Sequence, residues 1–180
     1  MKIKKHQTDI PGCFVLEINS FKDNRGEFTK LFHSDAFREL GLEDNFKEEY
    51  FSISSKGVLR GLHFQEPPHD HIKCISCISG SIFDVVVDLR TDSPTYKNHL
   101  TFELDSRNPQ IVYIPSGLAH GFYVYEDNTI FLNKTNTVFN SECDTGIKWD
   151  SCGISWPNPT PILSEKDKNL VDLKNYKSPF

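Results

Sequence analysis

The sequence is cut into short runs rich in Val, Ile, Phe and Tyr, each closed by Gly, Pro, Asn or Asp, and this punctuation constrains the fold more than any other feature. Ten runs read as strands: Cys13–Ile18, Gly26–Phe32, Phe46–Ser52, Val58–Gln65, Ile72–Ile78, Ser81–Arg90, His99–Leu104, Gln110–Ile114, His120–Tyr125 and Thr129–Phe139. So many strands predict an all-β sandwich or jelly-roll barrel. Helical openings occur at two places: Ser34–Leu40 starts on a Ser/Asp cap, and Ser164–Leu173 starts with SEKD, which resembles a capping box. Both read as peripheral. Ser79-Gly80 reads as a tight hairpin between antiparallel neighbours, and Pro115-Ser116-Gly117 as a turn into Leu118-Ala119-His120.

At 180 residues the chain fits one domain spanning 1–180, and no repeat, low-complexity tract or linker divides it. No segment approaches the roughly 18 apolar residues of a membrane span. The basic opening MKIKKHQTDIPGC lacks the apolar stretch of a signal peptide, so a cytoplasmic location is expected. A net charge of -5 without a dense Lys/Arg run argues against a nucleic-acid partner, although one basic pocket for a small anion stays compatible with it. Five cysteines in such a chain read as free thiols. Cys74 and Cys77 form a CxxC, but inside a strand-like run positions i and i+3 face opposite sides, which argues against a shared zinc or disulfide.

Chemistry concentrates in Val58–Lys73, VLRGLHFQEPPHDHIK. His69-x-His71, with His63 and His120, offers enough imidazoles for a divalent metal. The positions after the pair, however, hold Lys73, Cys74 and Ile75 instead of a carboxylate, and residues following Pro67-Pro68 read as a solvated loop end. No metal and no cofactor are expected. Proton transfer fits better: a histidine takes a proton near neutral pH and a lysine holds charge developing on an oxygen, which makes His63 and Lys73 candidates. Each also has a plainer reading, His63 as a core histidine between Leu62 and Phe64, and Lys73 as a solvated strand-end lysine. Arg60 stands at odd separation from His63, so a regular strand would part them, and a bulge at Gly61 would reunite them.

A set of words then runs in order along nearly the whole chain: Asp23-Asn24-Arg25-Gly26; Gly57-Val58-Leu59-Arg60-Gly61-Leu62-His63-Phe64-Gln65; Lys73; Asp84-Val85-Val86-Val87-Asp88-Leu89-Arg90; Ser93-Pro94-Thr95; Tyr113-Ile114-Pro115; Ala119-His120-Gly121-Phe122; Trp156-Pro157; and Leu163-Ser164-Glu165-Lys166-Asp167. Together they resemble the dTDP-4-dehydrorhamnose 3,5-epimerase family. The resemblance implies a cupin-type double-stranded β-helix (jelly roll) working without metal, a homodimer, and a nucleotide-linked 4-keto sugar as substrate. It implies His63 as base oriented by Asp167, Lys73 at the enolate oxygen, and Arg60, His120 and Lys166 against the substrate. Arg25 is implied to reach across a dimer towards the nucleotide. Read alone, Asp167 is only the third residue of a helix opened by Ser164, where a carboxylate is stabilising for local reasons.

The departures from the family pattern are specific. Where the family has a tyrosine acid, this chain has Asn133, whose amide can hydrogen-bond but has no proton to give near neutral pH. The family's base-stacking tyrosine is Phe139, which keeps the ring, and Asp144 stands for a glutamate. Glu48-Glu49-Tyr50 replaces a common Gln-Asp-Asn, and Lys30 replaces another glutamate, so the nucleotide and the sugar stay open. Three outcomes follow for the enolate: water or another side chain such as Tyr50 returns the proton, only one centre inverts, or the enolate goes to a different isomer. A single inversion at C3 or C5, or a related isomerisation, is the favoured reading. A catalytically silent nucleotide-sugar-binding protein and a metal-dependent cupin enzyme are the alternatives from other classes.

Overall fold

A computed structural model describes residues 2–180. Its strands are β1 Ile3–Gln7, β2 Phe14–Ile18, β3 Ser20–Asp23, β4 Gly26–Thr29, β5 Glu48–Ser54, β6 Leu59–Gln65, β7 Lys73–Ser79, β8 Ser81–Asp88, β9 His99–Asp105, β10 Gln110–Ile114, β11 Leu118–Val124, β12 Thr129–Thr135 and β13 Asp144–Gly146. Helix α1 covers Ser34–Glu39 and α2 covers Glu165–Lys168. A six-stranded sheet runs β1-β2-β10-β7-β12-β5, a five-stranded sheet runs β13-β6-β11-β8-β9, and β3-β4 form a separate hairpin. Every pairing within these sheets is antiparallel. No helix among the described residues is long and apolar enough to cross a membrane.

From β5 to β8, and again from β10 to β13, successive strands alternate between the two sheets. This is the double-stranded β-helix expected of a jelly roll, and it corrects one local reading. Ser79-Gly80 is a tight turn, but β7 pairs with β10 and β12 while β8 pairs with β9 and β11, so the turn is a corner between sheets and not a hairpin. Gly80 stands at φ 77°, and a Cβ there would lie 2.3 Å from the Thr129 hydroxyl, so the corner needs glycine.

Burial on both faces explains the near-continuous apolar runs. Between the sheets, Ile75, Val112, Ile114 and Phe131 meet Ile82, Val86, Phe122 and Val124. The outer face of the five-stranded sheet, with Leu62, Phe64, Val85 and Val87, is covered by the C-terminal segment through Ile147, Cys152 and Leu173. The outer face of the six-stranded sheet, with Leu16, Cys74, Ile111 and Tyr113, is covered by Phe37 of α1 and by Leu42. Cys74 and Cys77 thus belong to different faces, as their spacing predicts, and all five cysteines are free.

The predicted helix over Ser164–Leu173 is cut to α2. The Asp167 N–H donates to Ser164 Oγ at 3.1 Å, so the cap forms, but Val171 then pairs with Ile147 and Leu173 is buried under the sheet. Tertiary pairing overrides the local helical signal. Strands β1, β3 and β13 escape the sequence reading because they are short or polar: Lys4 and His6 of β1 are held by Glu17 of β2 at 2.9 and 3.1 Å instead of by an apolar face.

Candidate active site

A cavity of about 440 Å³ lies between the inner faces of the two sheets. The six-stranded sheet contributes Tyr50, Lys73 and Asn133, the five-stranded sheet contributes Arg60, His63 and His120, and the Ile162–Asp167 segment closes one side. The predicted bulge is present. His120 and Phe122, two apart on β11, pair with His63 and Arg60, three apart on β6, so Gly61 is the extra residue and both side chains reach the cavity. Gly61 stands at φ 132°, and a Cβ there would sit 2.5 Å from Gly121 Cα.

His63 and Asp167 meet from 104 residues apart, Nε2 to Oδ1 at 2.5 Å. Burial disfavours the Asp167 charge, but the hydrogen bond and charge of His63, joined by Ser164 and the Gly61 backbone, outweigh it and hold the carboxyl below the usual range. An ionised carboxylate only accepts, so Nε2 carries the hydrogen, and in the neutral ring the lone pair is on Nδ1. Lys73 is 5% exposed, and its Nζ donates to the His63 carbonyl at 3.0 Å. It is therefore no solvated strand-end lysine. Burial pushes it down to about 8, with Asp144 and Asp84 pulling the other way.

His120 is buried, and its Nε2 donates to Asp84 Oδ2 at 2.7 Å. Burial lowers its pKa against the pull of Asp84, so the ring is neutral at pH 7 and Nδ1 is free to accept. Asp84 carries no role in the sequence reading. The available signal was its even spacing with Asp88 in an apolar run, which puts two acids on the inner face of one buried strand. Arg60 Nε donates to Ser54 Oγ at 3.1 Å. Asn133 is 2% exposed, its Nδ2 donates to the Tyr50 phenol oxygen at 2.6 Å, and its Oδ1 has no partner among the described residues.

A second cavity of about 340 Å³ shares Tyr50, His63, Lys73 and Lys166 with the first and adds Phe139, Asp144, Glu48 and His71. Lys166 is ion-paired with Asp144, and the Phe139 N–H donates to Glu48 Oε2 at 2.7 Å. His71 corrects another reading. It is not at a solvated loop end: burial, with Lys73 and His120 nearby, pushes it down to about 3, and its Nδ1 lies 3.2 Å from Gln65 Nε2. His69 turns to Asn140 instead, and no three His, Cys, Asp or Glu side chains among the described residues converge in a metal-binding group. Arg25 is the predicted site residue that the structure leaves outside. It sits exposed at the tip of the β3–β4 hairpin, bonded to Asp23.

Known proteins share this fold and much of this sequence. A family model described as dTDP-4-dehydrorhamnose 3,5-epimerase matches residues 7–175. An enzyme of that name from Shigella flexneri is 40% identical over 166 residues, covering 91% of this chain and 92% of the relative. Among solved structures, the Legionella pneumophila dTDP-6-deoxy-D-glucose-3,5-epimerase in complex with dTDP-4-keto-L-rhamnose superposes with a TM-score of 0.93 at 33% identity, covering 98% of this chain and 95% of that one. A 3'-monoepimerase from Streptomyces bikiniensis in complex with dTDP-quinovose superposes with a TM-score of 0.89 at 28% identity, covering 94% and 87%. With sequence likeness running almost end to end over the same jelly roll, the chain belongs to the dTDP-4-dehydrorhamnose 3,5-epimerase family.

Proposed function

We propose that the protein is an epimerase of a nucleotide-linked 4-keto sugar and inverts one carbon beside the ketone, C3 or C5, through an enolate. The observation that carries this reading is the His63–Asp167 pair sharing one cavity with the buried Lys73. Removing a proton from carbon beside a ketone needs a base at the carbon and positive charge at the oxygen. His63 Nδ1 takes the proton, the C–H pair becomes a C=C bond, and the carbonyl π pair moves to the oxygen. Lys73, with two N–H donors beyond the one given to His63, holds that oxygen. The step uses no cofactor.

The remaining residues receive the substrate's polar groups. Arg60 and Lys166 offer positive charge to the diphosphate. His120 Nδ1 and Asn133 Oδ1 accept from sugar hydroxyls, Phe139 presents a ring to the nucleotide base, and Asp144 fixes Lys166. The Legionella neighbour's 4-keto ligand and the Streptomyces neighbour's single inversion support this assignment of substrate and outcome.

The test is NMR of dTDP-4-keto-6-deoxyglucose incubated with the protein in deuterated water. Deuterium is expected at C3 or C5 together with an inverted coupling pattern there. Tight binding with no exchange would make the pocket a silent binder.

The whole chain acts as one domain, and the working form is a cytoplasmic homodimer. Five free thiols fit a reducing compartment. The exposed Phe51 and Ile53 of edge strand β5, with Phe21 and Phe28 on the β3–β4 hairpin, fit coverage by a second copy, and the hairpin carries Arg25. Sedimentation is expected to give twice the 20.7 kDa chain mass. A monomer with full turnover would remove Arg25 from the site.

A further inference from the structure

Inversion needs two reagents on opposite faces of one carbon, and a base alone returns its proton to the face it came from. The cavity has that second reagent. We propose that Tyr50 is the acid that protonates the enolate on the face opposite His63. The proposal rests on the epimerase reading above and names the group that completes it.

Three observations lead there. First, Tyr50 and Asn133 are direct cross-strand partners of β5 and β12, so their side chains lie side by side on the inner face. The resemblance to the family expects a phenol at position 133 and an amide at position 50. This chain holds the same two groups with their positions exchanged, and the structure puts them in contact. Second, the contact has a direction. Asn133 Nδ2 donates to the phenol oxygen at 2.6 Å, so the phenol's own hydrogen is left for another acceptor and the amide stabilises the phenolate that donation leaves behind. Third, the two walls carry the two reagents. His63 projects from the five-stranded sheet and Tyr50 from the six-stranded sheet, and both line the same two cavities.

Tyr50 is the one tyrosine among the described residues that lines either cavity. Tyr125 and Tyr176 spend their hydroxyl hydrogens on Glu103 and Glu66, and Tyr113 OH accepts from the Glu43 backbone on the far side of the sheet. Partial desolvation of Tyr50 where it faces the cavity, with Glu48 and Asp144 nearby, raises its pKa against the pull of Asn133, so the phenol is protonated at neutral pH and yields only to a strong base such as an enolate carbon. The proton count closes. His63 gains one proton, the carbon regains one from Tyr50, and the imidazolium and phenolate are reset by water, which reaches Tyr50 through the 46% of its surface that is exposed.

The experiment separates exchange from inversion in deuterated water with dTDP-4-keto-6-deoxyglucose. In Tyr50→Phe, His63 still removes the proton and returns solvent deuterium to the same face. The expected result is deuterium in recovered substrate of unchanged configuration, with inverted product down about 100-fold or more. A merely structural tyrosine would lower both together. The double variant Tyr50→Asn/Asn133→Tyr puts the phenol on the neighbouring strand and is expected to regain inversion, whereas Tyr50→Asn alone is not. Inversion at the wild-type rate in Tyr50→Phe overturns the role of Tyr50 alone, as does loss of exchange and inversion together in both Tyr50→Phe and the double variant. Absence of exchange in the wild-type protein overturns the enolate reading and this role with it.

Discussion

Replacing His63 with Ala is expected to lower solvent-deuterium incorporation into the keto sugar by roughly 10³-fold, the scale of a well-placed general base. Lys73 and Tyr50 remain, so binding of the nucleotide sugar should change less than about tenfold, and the loss falls on the chemical step. The substitution also strands Asp167, which is 3% exposed and held ionised chiefly by His63 against its burial. Its carboxyl then takes up a proton at higher pH than before, and stability drops by about 1–2 kcal/mol at neutral pH. Exchange and inversion are read by NMR, and stability by urea titration of the same variant. Wild-type exchange in His63→Ala would place the base elsewhere.

Lys73→Met is expected to act in opposite directions on rate and stability. Without the ammonium the enolate oxygen loses its counter-charge, and exchange should fall by about 10²–10³-fold. The folded protein, in contrast, is relieved of a buried charge. The gap between about 8 and the ordinary 10.5 amounts to about 3 kcal/mol of penalty at pH 7, and the methionine variant should recover about 1–3 kcal/mol of it. The sign of the pH dependence follows. The unfolded chain keeps this lysine protonated up to about 10.5 while the folded chain releases the proton above about 8, so wild-type stability gains from this residue as pH rises through that window. Lys73→Met lacks that gain. Catalysis moves the other way: wild-type kcat/KM declines above about pH 8 as the cation is lost. Urea titrations and rate profiles between pH 7 and 10 would settle both: exchange at the wild-type rate would remove Lys73 from the oxyanion position, and a less stable variant would overturn the buried-charge penalty.

Much of this was legible in residues, and the failures have physical causes. The strands announced themselves because central strands covered on both faces are written almost entirely in apolar residues, as in β11 and β8. Their partners were not legible: Ser79-Gly80 carries the same chemistry whether a tight turn closes a hairpin or turns a corner between sheets. Arg60 and His63 could be joined in advance because Gly61 offered a bulge. The His63–Asp167 contact could not be found by spacing, and only the resemblance pointed to it. His71 reads as solvated from sequence because polar residues after a Pro-Pro turn usually are, and its burial comes only from tertiary packing. Tyr50 was legible as a departure at its own position, but its contact with Asn133 exists only through the pairing of β5 with β12.

The alternation of strands between sheets also governs how this protein reaches its native state. A hairpin fold collects its pairings locally, but here each inner wall waits for chain segments far along the sequence, and the base meets its carboxylate across 104 residues. Topologies dominated by such distant pairings fold in milliseconds to seconds because loop closure comes before any reward from contact. No fragment ending before Asp167 assembles the proton-removing pair. Until α2 has docked beside β6, His63 has no carboxylate to orient it.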